Sequence, residues 1–253
     1  MLLKEKNSHK RDKNIEFEEK SHTYYINGNS KSIISVTEFV HSFFPKFDAD
    51  LIIKKMMNSR NWPNSKYYGM TADEIKQEWD DSKNLAARHG TNLHQDIEFF
   101  YNGKDVINNS REYEFFKKFH NDNSNLKPFR TEWCIYDENL KLAGTIDMVF
   151  CDEENNFCIY DWKRSKNISE ENRYEEGFYP LSHLPHSNFW HYSLQLNVYK
   201  KILEEKYGLN ITSLFLVCLH PNQENYIKIE VPNLEEEVIA IFEERDRILK
   251  EEK

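Results

Sequence analysis

The sequence predicts an α/β fold in which a central mixed β-sheet is flanked by helices, with an N-terminal hairpin and helical addition. Three observations carry this. Runs of β-branched and aromatic residues at 132–136, 142–150 and 157–162 follow one another with turn residues between them, as consecutive strands do. Helical patterns precede them at 111–120 and follow them at 190–207, and a further strand pattern lies at 211–219. Helix, three strands, helix, strand is the order of an α/β core with helices packed on a mixed sheet.

The elements are justified in turn. Residues 15–36 alternate apolar and polar side chains, and Asn27-Gly28-Asn29 between Tyr24-Tyr25-Ile26 and Ile33-Ile34 predicts a hairpin turn there. Ser35-Val36-Thr37-Glu38 and Thr71-Ala72-Asp73-Glu74 fit the capping box, in which Ser or Thr and Glu satisfy helix-end amides reciprocally. The second opens a helix that ends near Asn102-Gly103, and residues 58–70 between the two read as a loop. Asp137-Glu138-Asn139 and residues 152–156 are turns, so the three strands form a meander. A long polar and aromatic connection occupies 164–188, and Gly208 stops the helix after it. Strands at 211–219 and 226–231 and a helix at 234–251 complete the chain.

Composition narrows the function classes. The formal net charge of −9 argues against a protein that coats nucleic acid by bulk electrostatics. It leaves room for an enzyme whose metal-binding carboxylates carry much of that charge. No apolar run approaches the roughly 20 residues of a membrane span, and no leader pattern opens the chain, so an intracellular, cytoplasmic protein without membrane contact is expected. Cys134, Cys151, Cys158 and Cys218 have neither CxxC spacing nor a disulfide framework.

The chemistry concentrates in Gly144-Thr145-Ile146-Asp147 and Asp161-Trp162-Lys163. Asp147 and Asp161 are fourteen positions apart, each near a strand end, with a turn between that brings the strands side by side. Two carboxylates and a backbone carbonyl, that of Trp162, would suit a hard cation such as Mg²⁺, with Mn²⁺ as a substitute. Strand alternation puts Asp161 and Lys163 on one face. A cation flanked by an ammonium is a hydrolytic site for phosphodiesters, since both offset charge developing on the phosphoryl group. A lone Asp at a strand end is usually a turn residue, but two same-face charges closing the apolar run Phe157-Cys158-Ile159-Tyr160 are harder to assign to the surface.

These motifs resemble the PD-(D/E)xK nuclease superfamily, and within it the RecB-like branch with the CRISPR-associated and lambda-type exonucleases. The resemblance spans about residues 86–219. Asp161-Trp162-Lys163 matches the (D/E)xK element, although Ile146 replaces the usual proline before Asp147. Arg88-His89-Gly90-Thr91-Asn92-Leu93-His94 resembles the branch's helix signature, which implies His94 as a metal ligand. Gln195-Leu196-Asn197-Val198-Tyr199 matches its QxxxY element, whose pair meets the DNA backbone or supports the lysine. The resemblance implies a restriction-endonuclease-like core at 83–253 behind a hairpin and helical region at 1–82. The stretch 191–207 is also similar to nucleases of giant amoebal viruses, which would place the protein in a host cytoplasm. The CRISPR-associated members carry four cysteines for an iron–sulfur cluster; their positions are not matched, so none is expected.

Secondary expectations follow. Glu132 resembles an acidic residue beside the metal, and Glu98, one turn after His94, is a further ligand, a partner that orients the imidazole, or an exposed helix charge. Arg164, Ser165 and Lys166 follow the lysine and are placed to contact phosphates, with Lys200 and Lys201 as further candidates. Phe178 and Tyr179 in the long connection either stack on unpaired bases or pin the loop to the core. His22, His183, His186 and His191 have no ligand spacing. The expected function is a Mg²⁺-dependent exonuclease acting on DNA ends. A structure-selective or single-strand endonuclease and a non-catalytic DNA-binding subunit are the alternatives. A homo-oligomer and a helicase or recombination partner are compatible with all of them.

Overall fold

The computed structural model describes residues 2–152 and 154–251. The chain forms two compact units, Met1–Pro45 with Leu93–Lys253, and Lys46–Asn92.

The larger unit begins with a short helix α1 (Leu3–Lys6) and a two-stranded hairpin, β1 (Ile15–Glu18) against β2 (Thr23–Ile26). The turn of this hairpin is therefore at residues 19–22, not at Asn27-Gly28. Asn27 (φ 51°) and Gly28 (φ 75°) do make a tight turn, but it closes a single bridge between Ile26 and Asn29. The chain then leaves, and β3 (Ile34–Ser35) pairs in parallel with the main sheet. The expected partner was wrong because a turn signal fixes only local geometry, whereas Ile33 gains more by packing with Ile15, Ile26, Tyr136 and Ala143.

Ser35 caps α2 (Val36–His41) by accepting the Glu38 amide at 3.0 Å. In the smaller unit lie α3 (Ala49–Met57) and the first part of α4 (Ala72–Tyr101), which starts on the full capping box of Thr71 and Glu74. Gly103, at φ 70°, follows its end. Within the smaller unit, Trp79 Nε1 donates to the Tyr67 hydroxyl at 2.7 Å and Ile75 is fully buried.

The sheet is built from β4 (Lys127–Asp137), β5 (Leu142–Cys151), β6 (Asn156–Lys163), β7 (Asn210–Cys218) and β8 (Ile227–Glu230), with β3 at one end. Strands β4, β5 and β6 are the expected meander, each antiparallel to the next; β7 runs parallel to β6, as a crossover through helix α6 (Asn188–Ile202) requires. A π-turn at Leu203–Tyr207 and Gly208 in the left-handed region end that helix. Helix α7 (Glu235–Glu251) closes the chain.

Two apolar layers cover the sheet. Phe39, Leu194, Leu196, Val198 and Ile241 from α2, α6 and α7 pack with Ile135, Ile146 and Ile159. On the other face, Leu93, Ile97 and α5 (Arg111–Asp122) residues Phe116 and Phe119 pack with Met148, Tyr160 and Trp162. This is the mixed sheet flanked by helices that the sequence predicts.

One irregularity positions the site. β4 pairs along β5, but on its other edge β5 meets β3 only at Leu142–Ala143 and β6 only at Met148–Cys151. From Gly144 to Asp147 that edge is open, and Asp161, Trp162 and Lys163 run on beside β7 alone. Ile146 and Val149 join one layer while Met148 and Phe150 join the other, so the inward alternation of β5 slips at Asp147.

Candidate metal centre

Each side chain is delivered by a different element. Asp147 lies where β5 and β6 splay, and the Trp162 N–H, freed from the ladder, donates to Asp147 Oδ2 at 2.8 Å. Glu132 falls between the Thr131↔Met148 and Trp133↔Ile146 pairs, hence opposite Asp147, with its backbone at φ 43°. That left-handed conformation in a strand is strained for a non-glycine residue, and such strain concentrates where side chains are aimed for function. Leu93 and Ile97 anchor α4 on the sheet, which turns His94 inward.

His94, Glu132 and Asp147 each offer a ligand atom, and these atoms lie within 4.8 Å of one another. His94 Nε2 is 2.8 Å from the Trp162 carbonyl. A carbonyl only accepts, so Nε2 carries the proton, and Nδ1, 3.5 Å from Asp147 Oδ2, is the nitrogen left for a cation. The Trp162 carbonyl, expected as a ligand, accepts from His94 Nε2 and keeps a second lone pair. Asp161 is outside the convergent set: its Oδ2 is 2.6 Å from the Lys163 ammonium.

The electrostatics fit a divalent cation. Glu132 is pushed up to about 9, first by burial and then by the charges of Asp147, Glu98 and Asp161. A buried carboxylate crowded by three others holds a proton unless a positive charge replaces it. Asp161 is raised to about 6 by burial, with Lys163 acting against that and Asp147 adding to it. Burial would lower Lys163, but Asp161 and Asp147 outweigh it and hold the ammonium charged. The donor set, carboxylate oxygens with one imidazole, suits Mg²⁺ or Mn²⁺.

One face of α6 supports this arrangement. Tyr192, Gln195 and Tyr199 follow i, i+3, i+7 spacing. Gln195 Nε2 donates to the Tyr199 hydroxyl at 2.9 Å, and the Tyr199 ring lies on Gly144, where a Cβ would come 2.6 Å from Tyr199 Cε1. Tyr199 is only 2 % exposed, and its contacts here are with Gln195 and Gly144. Three residues before Gln195, the Tyr192 ring sits 4.3 Å from the Lys163 ammonium, which is thus held between a carboxylate and an aromatic face. Sequence reasoning missed Tyr192, although its place on the Gln195 face was a signal. It also missed Tyr24, whose hydroxyl is 2.9 Å from Thr145 Oγ1 and which comes from the distant hairpin, with no local signal.

The expected phosphate contacts fare differently. Arg164 Nε donates to Glu112 Oε1 at 2.7 Å, with both side chains largely buried. Ser165 Oγ donates to the Asn167 carbonyl. Lys201 pairs with Glu205 and Glu235; at 100° per residue it lies far round the helix from Gln195. Lys166 is exposed. The long connection is pinned by buried Leu181 and Leu184, while Phe178 and Tyr179 stay 52 % and 83 % exposed.

No protein-family model matches the chain, and no curated protein matches its sequence. Among solved structures it is similar to the protein SSO0001, at 15 % identity and a TM-score of 0.36 over 87 % of this chain and 78 % of that one. It is also similar to a protein from Eubacterium rectale named "Putative exonuclease", at 12 % identity and a TM-score of 0.40 over 87 % of this chain and 80 % of that one. Neither likeness is close enough to carry the chemistry. Among the described residues no helix is long and apolar enough to cross a membrane.

Proposed function

We propose that this chain is a Mg²⁺-dependent deoxyribonuclease that hydrolyses phosphodiester bonds from DNA ends, a member of the PD-(D/E)xK group that its motifs resemble. The observation that supports this most is the convergence of His94, Glu132 and Asp147 beside the Asp161–Lys163 ion pair.

His94, Glu132 and Asp147 would hold the divalent cation, with Mn²⁺ as a substitute. Such an ion, when bound, supplies Lewis-acid polarisation of a phosphoryl oxygen and a more acidic water. The protein does the rest. Lys163 stays charged, so it acts by offsetting negative charge on the phosphoryl group and by donating a hydrogen bond to it, not by accepting a proton. Asp161 fixes the ammonium from one side and Tyr192 from the other. Gln195 and Tyr199 hold α6 over Gly144 and so keep β5 and β6 at their working separation. Exposed Phe178 and Tyr179 are available to unpaired bases, because the loop does not need them for its own packing.

The test is degradation of matched linear and closed-circular DNA by the purified protein in Mg²⁺ or Mn²⁺, with EDTA as control. Loss of the linear form alone supports the reading; cleavage of both at similar rates turns it into an endonuclease, and cleavage of neither removes the nuclease reading.

A further inference from the structure

The side chains expected to meet substrate phosphates are mostly engaged within the protein: Arg164 with Glu112, Ser165 with Asn167, and Lys201 with Glu205 and Glu235. One residue before Tyr192, whose ring meets the Lys163 ammonium, His191 joins a group of imidazoles from three elements. His41 ends α2, His186 lies in the connection before α6, and His191 is in the first turn of α6. The His41 and His191 ring centroids are 4.9 Å apart, His186 and His191 stack at 5.0 Å with 25° between planes, and Phe44 packs 4.2 Å from His191. The His41 ring reaches the surface on one side and is packed against His191 on the other. Among the described residues His191 Nε2 is buried with no hydrogen-bond partner.

We propose that His41, His186 and His191 form a phosphate subsite, which takes a phosphate group of the substrate strand next to the bond held at Lys163. This deepens the nuclease reading and rests on it. An acidic protein that binds an acidic strand needs a local cationic surface, and three clustered imidazoles, neutral when empty, can supply one by taking up protons as the anion binds. The acidic group that faces them is the Glu175 carboxylate, 3.1 Å from His186 Nδ1. A metal site is the less suitable reading, since among the described residues His94, Glu132 and Asp147 are the set whose ligand atoms converge, and stacked rings do not aim their nitrogens at one point.

The rings also suppress each other's charge until a ligand arrives. Burial first, then His41 and His186, lower His191 to about 4; burial first, then His186 and Lys163, lower His41. An anion among them offsets that mutual repulsion and favours their charged forms, so binding takes up protons. Affinity for the strand should therefore rise as pH falls below neutrality.

The experiment is anisotropy of a fluorescent single-stranded oligothymidylate in Ca²⁺, at pH 8 and pH 6, over a range of salt. Wild type is expected to bind about fivefold or more tightly at pH 6, with a log K against log salt slope steeper by about 0.7 for one added phosphate contact. In His41→Gln and His186→Gln the pH gain and the extra slope should both shrink. Wild type without a pH gain, or variants that keep all of it, overturn the proposal. If one of the two variants does not fold, the other decides, since Asp161 also titrates near 6 and only the histidine variants separate the two contributions. Strands with and without a terminal phosphate identify the bound group: preference for the phosphorylated strand assigns a monoester, and equal affinity an internal diester, either on the histidines. Absence of Mn²⁺-dependent cleavage by wild type is a separate result, which removes the nuclease reading and not the phosphate site.

Discussion

The backbone N–H of Trp162 donates to Asp147 Oδ2 at 2.8 Å, beyond the point where the ladder between their strands ends. One carboxylate thus bridges the two strands across the splay, and the geometry of the centre depends on how far apart α6 holds them.

That dependence is testable at Gly144. In Gly144→Ala the new Cβ meets Tyr199 Cε1 at 2.6 Å, so the helix or the strand must move. Overpacking of this kind costs about 1–3 kcal/mol. Urea denaturation should show the loss, and cleavage should fall with it. Gly144→Ala with Tyr199→Leu should recover part of the stability but not the cleavage, since Gln195 then has no hydroxyl to hold.

Glu132 predicts how metal and protons compete. Its folded value of about 9 lies above its unfolded one, so the stability it contributes is full below about 4.5 and is lost as pH rises through 9. In EDTA the melting temperature should fall across that window, and Mn²⁺ should reverse the fall. Glu132→Gln, which mimics the protonated acid, should flatten the EDTA profile and reduce the Mn²⁺-induced rise. An unchanged Mn²⁺ response in this variant would place the cation elsewhere.

His191 acts with the opposite sign. Its folded value of about 4 lies below the unfolded one, so its stability is present above about 6.5 and lost as pH falls towards 4. His191→Phe keeps a ring against Phe44 and His186 while removing the titration. Between pH 6.5 and 4 the variant's melting temperature should drop less than that of wild type; parallel curves would show that the ring does not titrate in this window.

Tyr192 should matter through its ring and not its hydroxyl. A desolvated cation–π contact is worth about 2 kcal/mol, or up to roughly thirtyfold in rate if all of it is needed to place the ammonium. Tyr192→Phe should keep kcat near wild type, and Tyr192→Leu should lower it with KM for DNA little changed. Equal loss in both variants would assign the effect to the hydroxyl or to packing.

Much of this centre was legible in the sequence because its parts follow local periods. Alternation of two placed Asp161 beside Lys163, and spacing of four placed Gln195 beside Tyr199. The same alternation, applied one residue further, puts Arg164 on the opposite face, where it meets Glu112; adjacency in sequence was the wrong guide to it. The hairpin partner of β2, the Tyr24–Thr145 contact and the meeting of His41 with His191 depend on tertiary packing over long sequence separations. No window of residues contains them.

The central claim is that Asp161 and Lys163 serve hydrolysis at a metal held by Asp147 and its neighbours. The most direct measurement compares release of nucleotides from end-labelled linear DNA by wild type, Asp161→Asn and Lys163→Ala in Mg²⁺, with folding checked by circular dichroism. The account predicts cleavage by wild type that EDTA abolishes, and a loss of about 100-fold or more in each variant, the scale on which removing one electrostatic group from a hydrolytic site acts. Asp161→Asn that digests DNA at near wild-type rate would contradict it.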